Sequence, residues 1–220
     1  MKRILFFVFI ISTAVSIAYY MTLNKKKPLP ILNPIELNAE MVDSSLQSVG
    51  IGHRIGKFSF FNQDGKIITE QNVKEKVFVV EYFFTTCGTI CPIMNSQLKR
   101  VQAAFKNEDK VTILSFTVNP EVDTVEQMKS YATSHDAILN KWHFLTGDKK
   151  ALYALARTSF FVLKPAEAQN LGDANSDFIH TNNFVLVDQK MRIRGYYEGT
   201  SISQVDKLIY DIDQLLNDKK

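Results

Sequence analysis

Val77–Pro92 is the stretch that most constrains how this 220-residue chain folds, and it contains both of its cysteines. Val77–Phe84 is a nearly unbroken apolar, β-branched and aromatic run, which is typical of a strand buried on both faces of a sheet. Pro92 follows Cys91 directly, and proline is tolerated at the first position of a helix. The sequence therefore predicts a central strand, a turn that carries Cys87 and Cys91, and a helix that begins at Pro92 with Cys91 as its N-cap.

The predicted place of the two cysteines, at a helix N-terminus, has chemical consequences. Unpaired N–H groups and the positive end of the helix dipole favour thiolate over thiol. Three residues separate Cys87 from Cys91, so the two sulfurs can approach each other. A disulfide across so short a loop removes little entropy from the unfolded chain, which makes a purely stabilising disulfide the weaker interpretation. The pair therefore favours metal binding or redox chemistry.

The N-terminal segment has the character of a membrane anchor. Ile4–Leu23 is twenty residues without a charge, the length that a helix needs to cross a bilayer. The run is too long for a typical cleaved signal, and Ser16–Ala18 is a poor cleavage site, so an uncleaved single-pass anchor is predicted over residues 1–24. Flanking charges do not settle its orientation. We expect the body on the periplasmic side of the inner (cytoplasmic) membrane, because such segments usually direct export and a cysteine pair has a meaningful redox state there.

Charge and composition limit the functions and the number of domains that the rest of the chain can have. The formal net charge is +3, but five basic residues precede Glu36, the first acid, which leaves 21 basic against 23 acidic residues. Nothing in this balance suggests nucleic-acid binding. Residues 25–50 contain three prolines and little periodicity, so a linker is predicted there. Residues 51–220 are sufficient for one domain with one hydrophobic core.

Strand and helix patterns alternate through this domain. A hairpin is predicted around Asp64 and Gly65, a second buried strand at Val111–Val118, and a helix that Asp123 caps. A second hairpin at Asn183–Tyr197 precedes a C-terminal amphipathic helix. This order predicts an α/β sandwich of the thioredoxin type.

Several residues that could bind metal have simpler interpretations. Met94 begins the apolar stripe of the helix after the cysteines and is therefore predicted to be a core residue. His53, His135 and His143 are interpreted as a surface residue, a helix-terminal residue and a strand residue, respectively. Taken alone, His180 would also be a surface or loop histidine.

Five stretches in order resemble the Sco/SenC family of membrane-anchored copper proteins. They are FSFFNQDGKIIT, EYFFTTCGTICPIMN, FTVNPEVDTVEQMKSYA, WHFLTG and FIHTNNFVLVDQKMRIRGYYEGT, within residues 56–216. The resemblance implies a thioredoxin-like fold that binds copper through the motif cysteines and a distant histidine. At the matching positions these ligands are Cys87, Cys91 and His180. It also implies a metallochaperone that helps to assemble the copper site of cytochrome c oxidase, with an oxidase subunit or another cuproprotein as partner.

The donor chemistry agrees with this resemblance. Thiolates are soft donors suited to Cu(I), and an added imidazole gives a set that can also hold Cu(II). Three protein ligands leave a position open, which a partner's ligand can enter during transfer. One residue departs from the family pattern, because Asn119 stands where members commonly have an aspartate before the proline. Any tuning by that acid is expected to differ here.

Other chemistries use the same cysteines. A membrane-anchored thiol–disulfide oxidoreductase is the main alternative, in which Cys87 or Cys91 attacks a partner's disulfide and the other cysteine resolves the intermediate. The usual redox motif has two intervening residues rather than three. Peroxide reduction through a sulfenic acid on Cys87 and a Cys₂His zinc site are weaker hypotheses, because no further residue pattern favours either.

Overall fold

The computed structural model describes residues 2–23, 28–37, 42, 46, 50–162 and 181–218. Within these ranges the helices are α1 (Lys2–Leu23), α2 (Ile90–Ala104), α3 (Val125–Ser134), α4 (Lys149–Thr158) and α5 (Ile202–Asn217). The strands are β1 (Ser59–Asn62), β2 (Ile67–Thr69), β3 (Val77–Phe83), β4 (Val111–Thr117), β5 (Trp142–Thr146), β6 (Asn183–Val187) and β7 (Ile193–Glu198). The hairpin predicted around Asp64 and Gly65 is confirmed as β1 and β2.

The strands form one sheet in the order β2-β1-β5-β4-β3-β6-β7. β3 pairs in parallel with β4 and antiparallel with β6, and β4 pairs in parallel with β5. All seven residues of β3 are buried, as expected of a strand with covered faces on both sides. The predicted central strand is therefore confirmed. The cysteine loop follows it directly and so begins in the middle of the sheet.

Helices cover both faces of the sheet. Alternate residues of β3 point to opposite faces, so Val77, Val79 and Phe83 lie in one core cluster and Phe78, Val80 and Tyr82 lie in the other. The first cluster also contains the apolar faces of α2, α3 and α5, and the second contains that of α4. This arrangement confirms the predicted α/β sandwich.

The membrane anchor predicted over residues 1–24 coincides with α1. Judged on the described residues alone, no helix combines the length and the apolar character that crossing a membrane requires. The anchor is therefore not shown and stays a prediction.

Part of the predicted linker is attached to the sheet. The Arg194 guanidinium donates hydrogen bonds to the carbonyls of Leu29 and Pro30, and the amide of Leu32 donates to the carbonyl of Ile193 at 2.9 Å. This segment is thus held at the first residues of β7. The domain boundaries at residues 24 and 50 remain predictions.

Candidate metal centre

Cys87 and Cys91 lie between the end of β3 and the first turn of α2. The helix begins at Ile90 with Thr89 as its N-cap, so the predicted start at Pro92 with Cys91 as the N-cap is wrong by two residues. Proline is compatible with this earlier start, because the first four N–H groups of a helix have no partner within it. Cys91 is therefore a helical residue, and Cys87 lies in the loop before the helix.

The sulfur of Cys87 performs part of the capping at this helix end. The Thr89 side chain makes no capping hydrogen bond, whereas the Cys91 amide donates to Cys87 Sγ at 3.4 Å. The Thr89 hydroxyl also lies 3.8 Å from Cys87 Sγ. An acceptor at this position satisfies an otherwise unpaired donor and lies in the positive field of the helix dipole. Negative charge on Cys87 is therefore stabilised.

The two thiols differ in acidity. Burial raises the pKa of Cys87, but hydrogen bonds from Cys91 and from the Thr89 backbone outweigh burial and hold it below its ordinary value. Burial first, and then the hydrogen bond with Cys87, raises the pKa of Cys91 well above its ordinary value. Both cysteines are free thiols. The pair thus combines a thiolate-prone Cys87 with a proton-retaining Cys91.

Asp123 anchors the loop that carries Cys87. Its fully buried carboxylate accepts hydrogen bonds from the Thr85 amide at 3.2 Å, from the Thr85 hydroxyl and from the Thr117 hydroxyl. The predicted capping role of Asp123 is wrong, because Thr124 is the N-cap of α3 and accepts from the Gln127 amide at 3.3 Å. The tertiary contacts of Asp123 were not visible in the sequence, although two threonines directly before the cysteine motif are suitable partners for a buried acid.

Glu81 is a second buried acid near the cysteines, and sequence reasoning did not identify it. Its carboxyl group accepts a hydrogen bond from the Ser115 hydroxyl, which in turn accepts from Trp142 Nε1 at 2.8 Å. Burial raises the pKa of Glu81 to about 8. The charge of Glu81 also contributes to the raised pKa of Cys91. The available signal was a lone acid inside an otherwise apolar strand.

The described histidines have partners outside the cysteine loop. His53 Nε2 lies 2.9 Å from the carbonyl of Ser159, and His143 Nδ1 lies 3.4 Å from Asn62 Nδ2. His135 is the C-cap of α3, as its interpretation as a helix-terminal residue requires. Met94 is buried in the core cluster beneath α2. These observations support the simpler interpretations of His135, His143 and Met94, whereas His53 is half-buried against Ser159 and Phe161 rather than a surface residue.

His180 lies outside the described residues. Within the ranges that are described, no three His, Cys, Asp or Glu side chains are grouped to hold a metal. The register of β6 bears on His180 nonetheless: Val80 pairs with Val185 and Phe78 with Val187 in an antiparallel ladder. The Asn183 end of β6 is therefore the end at which β3 leads into the cysteine loop. Two soft sulfur donors, one of them thiolate-prone, fit a soft metal ion such as copper.

The difference in acidity predicts selective alkylation. We expect iodoacetamide at neutral pH to modify Cys87 at least about tenfold faster than Cys91, because the thiolate is the nucleophile. Peptide mapping by mass spectrometry after short reaction times measures the two rates. In denaturant the rates should become similar. Equal rates in the folded protein would contradict the proposed stabilisation of the Cys87 thiolate.

The raised pKa of Glu81 predicts a pH-dependent stability. Up to about pH 8 the folded state keeps a proton on Glu81 that the unfolded state loses near the ordinary value of 4.5. The free energy of unfolding should therefore fall as pH rises through this interval, by up to about 1.4 kcal/mol per pH unit from this group. Glu81→Gln should remove that slope in denaturant titrations. The exposed Glu126→Gln is the control and should retain it, and a slope retained in Glu81→Gln would refute the assignment.

Comparison with known proteins identifies the family. A profile of the SCO1/SenC family matches residues 50–217. A SCO1/SenC family lipoprotein from Bacillus anthracis is 28% identical with a TM-score of 0.65, over 76% of this chain and 97% of that one. BsSco, a member of the Sco family of cytochrome c oxidase assembly proteins that has a disulfide switch, is 31% identical with a TM-score of 0.63, over 77% and 96%. Arabidopsis thaliana ScoI with copper bound is 26% identical with a TM-score of 0.56, over 72% and 98%.

These similarities cover the sheet, the helices on both of its faces and the cysteine loop. They confirm the thioredoxin-like fold predicted from the order of strands and helices. The chain belongs to the SCO1/SenC family.

Proposed function

We propose that this protein is a copper metallochaperone that binds copper through Cys87, Cys91 and His180 and assists assembly of the copper site of cytochrome c oxidase. The observation that carries the proposal is the position of the Cys87 sulfur at the N-terminus of α2, where it accepts a hydrogen bond from the Cys91 amide. Membership of the SCO1/SenC family and the copper-bound relative from Arabidopsis thaliana support copper as the cargo.

Metal capture by the two cysteines requires the loss of a proton. Cys87 is the more acidic thiol and can meet the incoming ion as a thiolate, whereas Cys91 holds its proton more tightly. Binding of Cu(I) by both sulfurs therefore releases the Cys91 proton to solvent. Affinity should consequently rise with pH, as is general for metal sites whose ligands must lose protons. Return of that proton would favour release of copper to a partner.

His180 is proposed as the third ligand. In the sequence it precedes Asn183 by three residues. Asn183 is the first residue of β6 and is at the end of that strand nearest the cysteine loop. An imidazole would complete a three-ligand set and leave one position open for a partner's ligand.

A redox role is the second candidate function. The two free thiols are hydrogen-bonded to each other and have opposite pKa shifts, an arrangement suited to an attacking and a resolving cysteine. The Cys87 thiolate would attack a partner's disulfide and displace one partner thiolate. Deprotonated Cys91 would then attack the mixed disulfide, giving a Cys87–Cys91 disulfide and a fully reduced partner. A relative with a disulfide switch is consistent with this chemistry.

We further propose that residues 1–24 anchor the protein in the inner membrane, with the body on the periplasmic side. The support is the uncharged run Ile4–Leu23 and the exposure of apolar side chains on α1, such as Phe6 and Phe9. The relative from Bacillus anthracis is a lipoprotein.

Substitution of His180 tests the ligand set and separates the two functions. The full chain should bind one copper ion, and His180→Ala should weaken Cu(II) binding by at least about tenfold because an imidazole donor is lost. His53→Ala removes a histidine bonded to Ser159 and should leave the affinity unchanged. Competition with chelators of known affinity measures the copper affinities of the parent chain and of both variants.

Other outcomes of this experiment are equally informative. Unchanged copper affinity in His180→Ala, or no copper binding by the parent, would reject the ligand assignment. Rapid disulfide exchange by a His180→Ala protein that binds no copper would favour the redox role instead.

The anchor is tested in membranes. The full chain should stay in the membrane pellet after extraction at alkaline pH. A variant with Ile11→Lys and Val15→Lys should be extracted, because charges at the centre of a spanning helix are costly. Release of the unaltered chain by the same treatment would refute the anchor.

A further inference from the structure

Asp123 is a buried carboxylate without a cationic partner. Its side chain is fully buried, and each hydrogen bond made to it comes from a neutral group, namely the Thr85 amide, the Thr85 hydroxyl and the Thr117 hydroxyl. Among the described residues, no Lys, Arg or His forms an ion pair with it, and the nearby Lys149 pairs with Glu121 instead. Hydrogen bonds offset the cost of burying this charge but leave the charge itself in place.

This charge is held close to the cysteine pair. Thr85 is two residues before Cys87, and the intervening turn is closed by a hydrogen bond of 3.2 Å from the Cys87 amide to the carbonyl of Phe84. Added to the 3.2 Å hydrogen bond between Asp123 and the Thr85 amide, the covalent geometry places the carboxylate within about 12 Å of the Cys87 Cα. The hydrogen bonds from the Thr85 amide and hydroxyl hold the carboxylate within that distance.

We propose that Asp123 sets the oxidation-state preference of the copper site by favouring Cu(II) over Cu(I). This inference rests on the proposed function. Two thiolates and a neutral imidazole carry a net charge of −1 with Cu(I) and of zero with Cu(II). A fixed negative charge nearby raises the energy of the anionic Cu(I) complex relative to the neutral Cu(II) complex. Unit charges about 12 Å apart, the upper bound for the distance to the Cys87 Cα, would change such an equilibrium about tenfold at an effective dielectric constant of about 20.

Asn119 is linked to Asp123 through its backbone amide. The Asn119 amide donates to the Thr117 hydroxyl at 2.8 Å, and that hydroxyl donates to Asp123. Asn119 therefore belongs to the same hydrogen-bonded group as Asp123 but contributes no charge. The buried negative charge of this group is that of Asp123.

The ratio of Cu(II) affinity to Cu(I) affinity tests the proposal. In the full chain, Asp123→Asn should lower this ratio about tenfold, because it removes the charge and keeps the shape of the side chain. Thr85→Val removes one hydrogen bond and keeps the charge, so the ratio should not change. Asp188→Asn removes a buried carboxylate that pairs with Arg192 and Arg194 at the other end of the sheet, and it should lower stability without altering the ratio. Thermal unfolding of the metal-free variants records stability separately.

A surface substitution keeps the proposal testable if Asp123→Asn does not fold. Gln127 is exposed and lies 3.4 Å from the Thr85 hydroxyl through its Nε2 atom, so Gln127→Lys adds a positive charge beside the same group. Gln127→Lys should therefore also lower the ratio of Cu(II) affinity to Cu(I) affinity. An unchanged ratio in Asp123→Asn, or in Gln127→Lys where the first variant does not fold, overturns this inference alone. Failure of the parent chain to bind copper overturns the proposed function and the inference together.

Discussion

The hydrogen bond from the Cys91 amide to the Cys87 sulfur is the interaction on which the candidate site depends. It exists because β3 ends and α2 begins within a few residues, so that the first free amides of the helix meet a side chain of the preceding loop. Burial of Cys91, the hydrogen bond between the two thiols and this backbone bond together separate the acidities of the two cysteines. Metal capture and disulfide exchange both need one sulfur that is ready to react and one that is held back.

The surrounding protein keeps this loop in place with buried acids rather than with apolar contacts alone. Asp123 ties the loop to the end of β4, while Glu81 lies within β3 on the same face as α2. The two acids differ in their partners: Asp123 receives several hydrogen bonds, whereas the strongest influence on Glu81 is burial. Burial raises the pKa of Glu81 to about 8, so Glu81 is a neutral acid near neutral pH, beside the hydrogen-bonded carboxylate of Asp123.

Local signals in the sequence predicted those parts of the fold that depend on local physics. The apolar run of β3 and the hairpin around Asp64 and Gly65 match the structure closely. The start of α2 was placed two residues late because a sulfur from the loop replaces the usual capping side chain. The predicted capping role of Asp123 is wrong because its partners lie outside the capping pattern: Thr117 is six residues before it, and Thr85 follows a different strand. A capping pattern contains no information on such tertiary contacts. Without the family resemblance, His180 could not be distinguished from other loop histidines.

The attachment of Leu29 and Pro30 to Arg194 has a geometric consequence. Arg194 is the second residue of β7. Ile193 of β7 pairs with Val187 of β6, and Val187 pairs with Phe78 of β3, so the start of β7 lies at the same end of the sheet as the start of β3. Cys87 follows the opposite end of β3, and seven strand residues span about 20 Å. The chain thus enters the folded domain at one end of the sheet, and the two thiols lie at the other end. The end of the sheet that leads into the cysteine loop is therefore opposite the end at which Leu29 and Pro30 are bound.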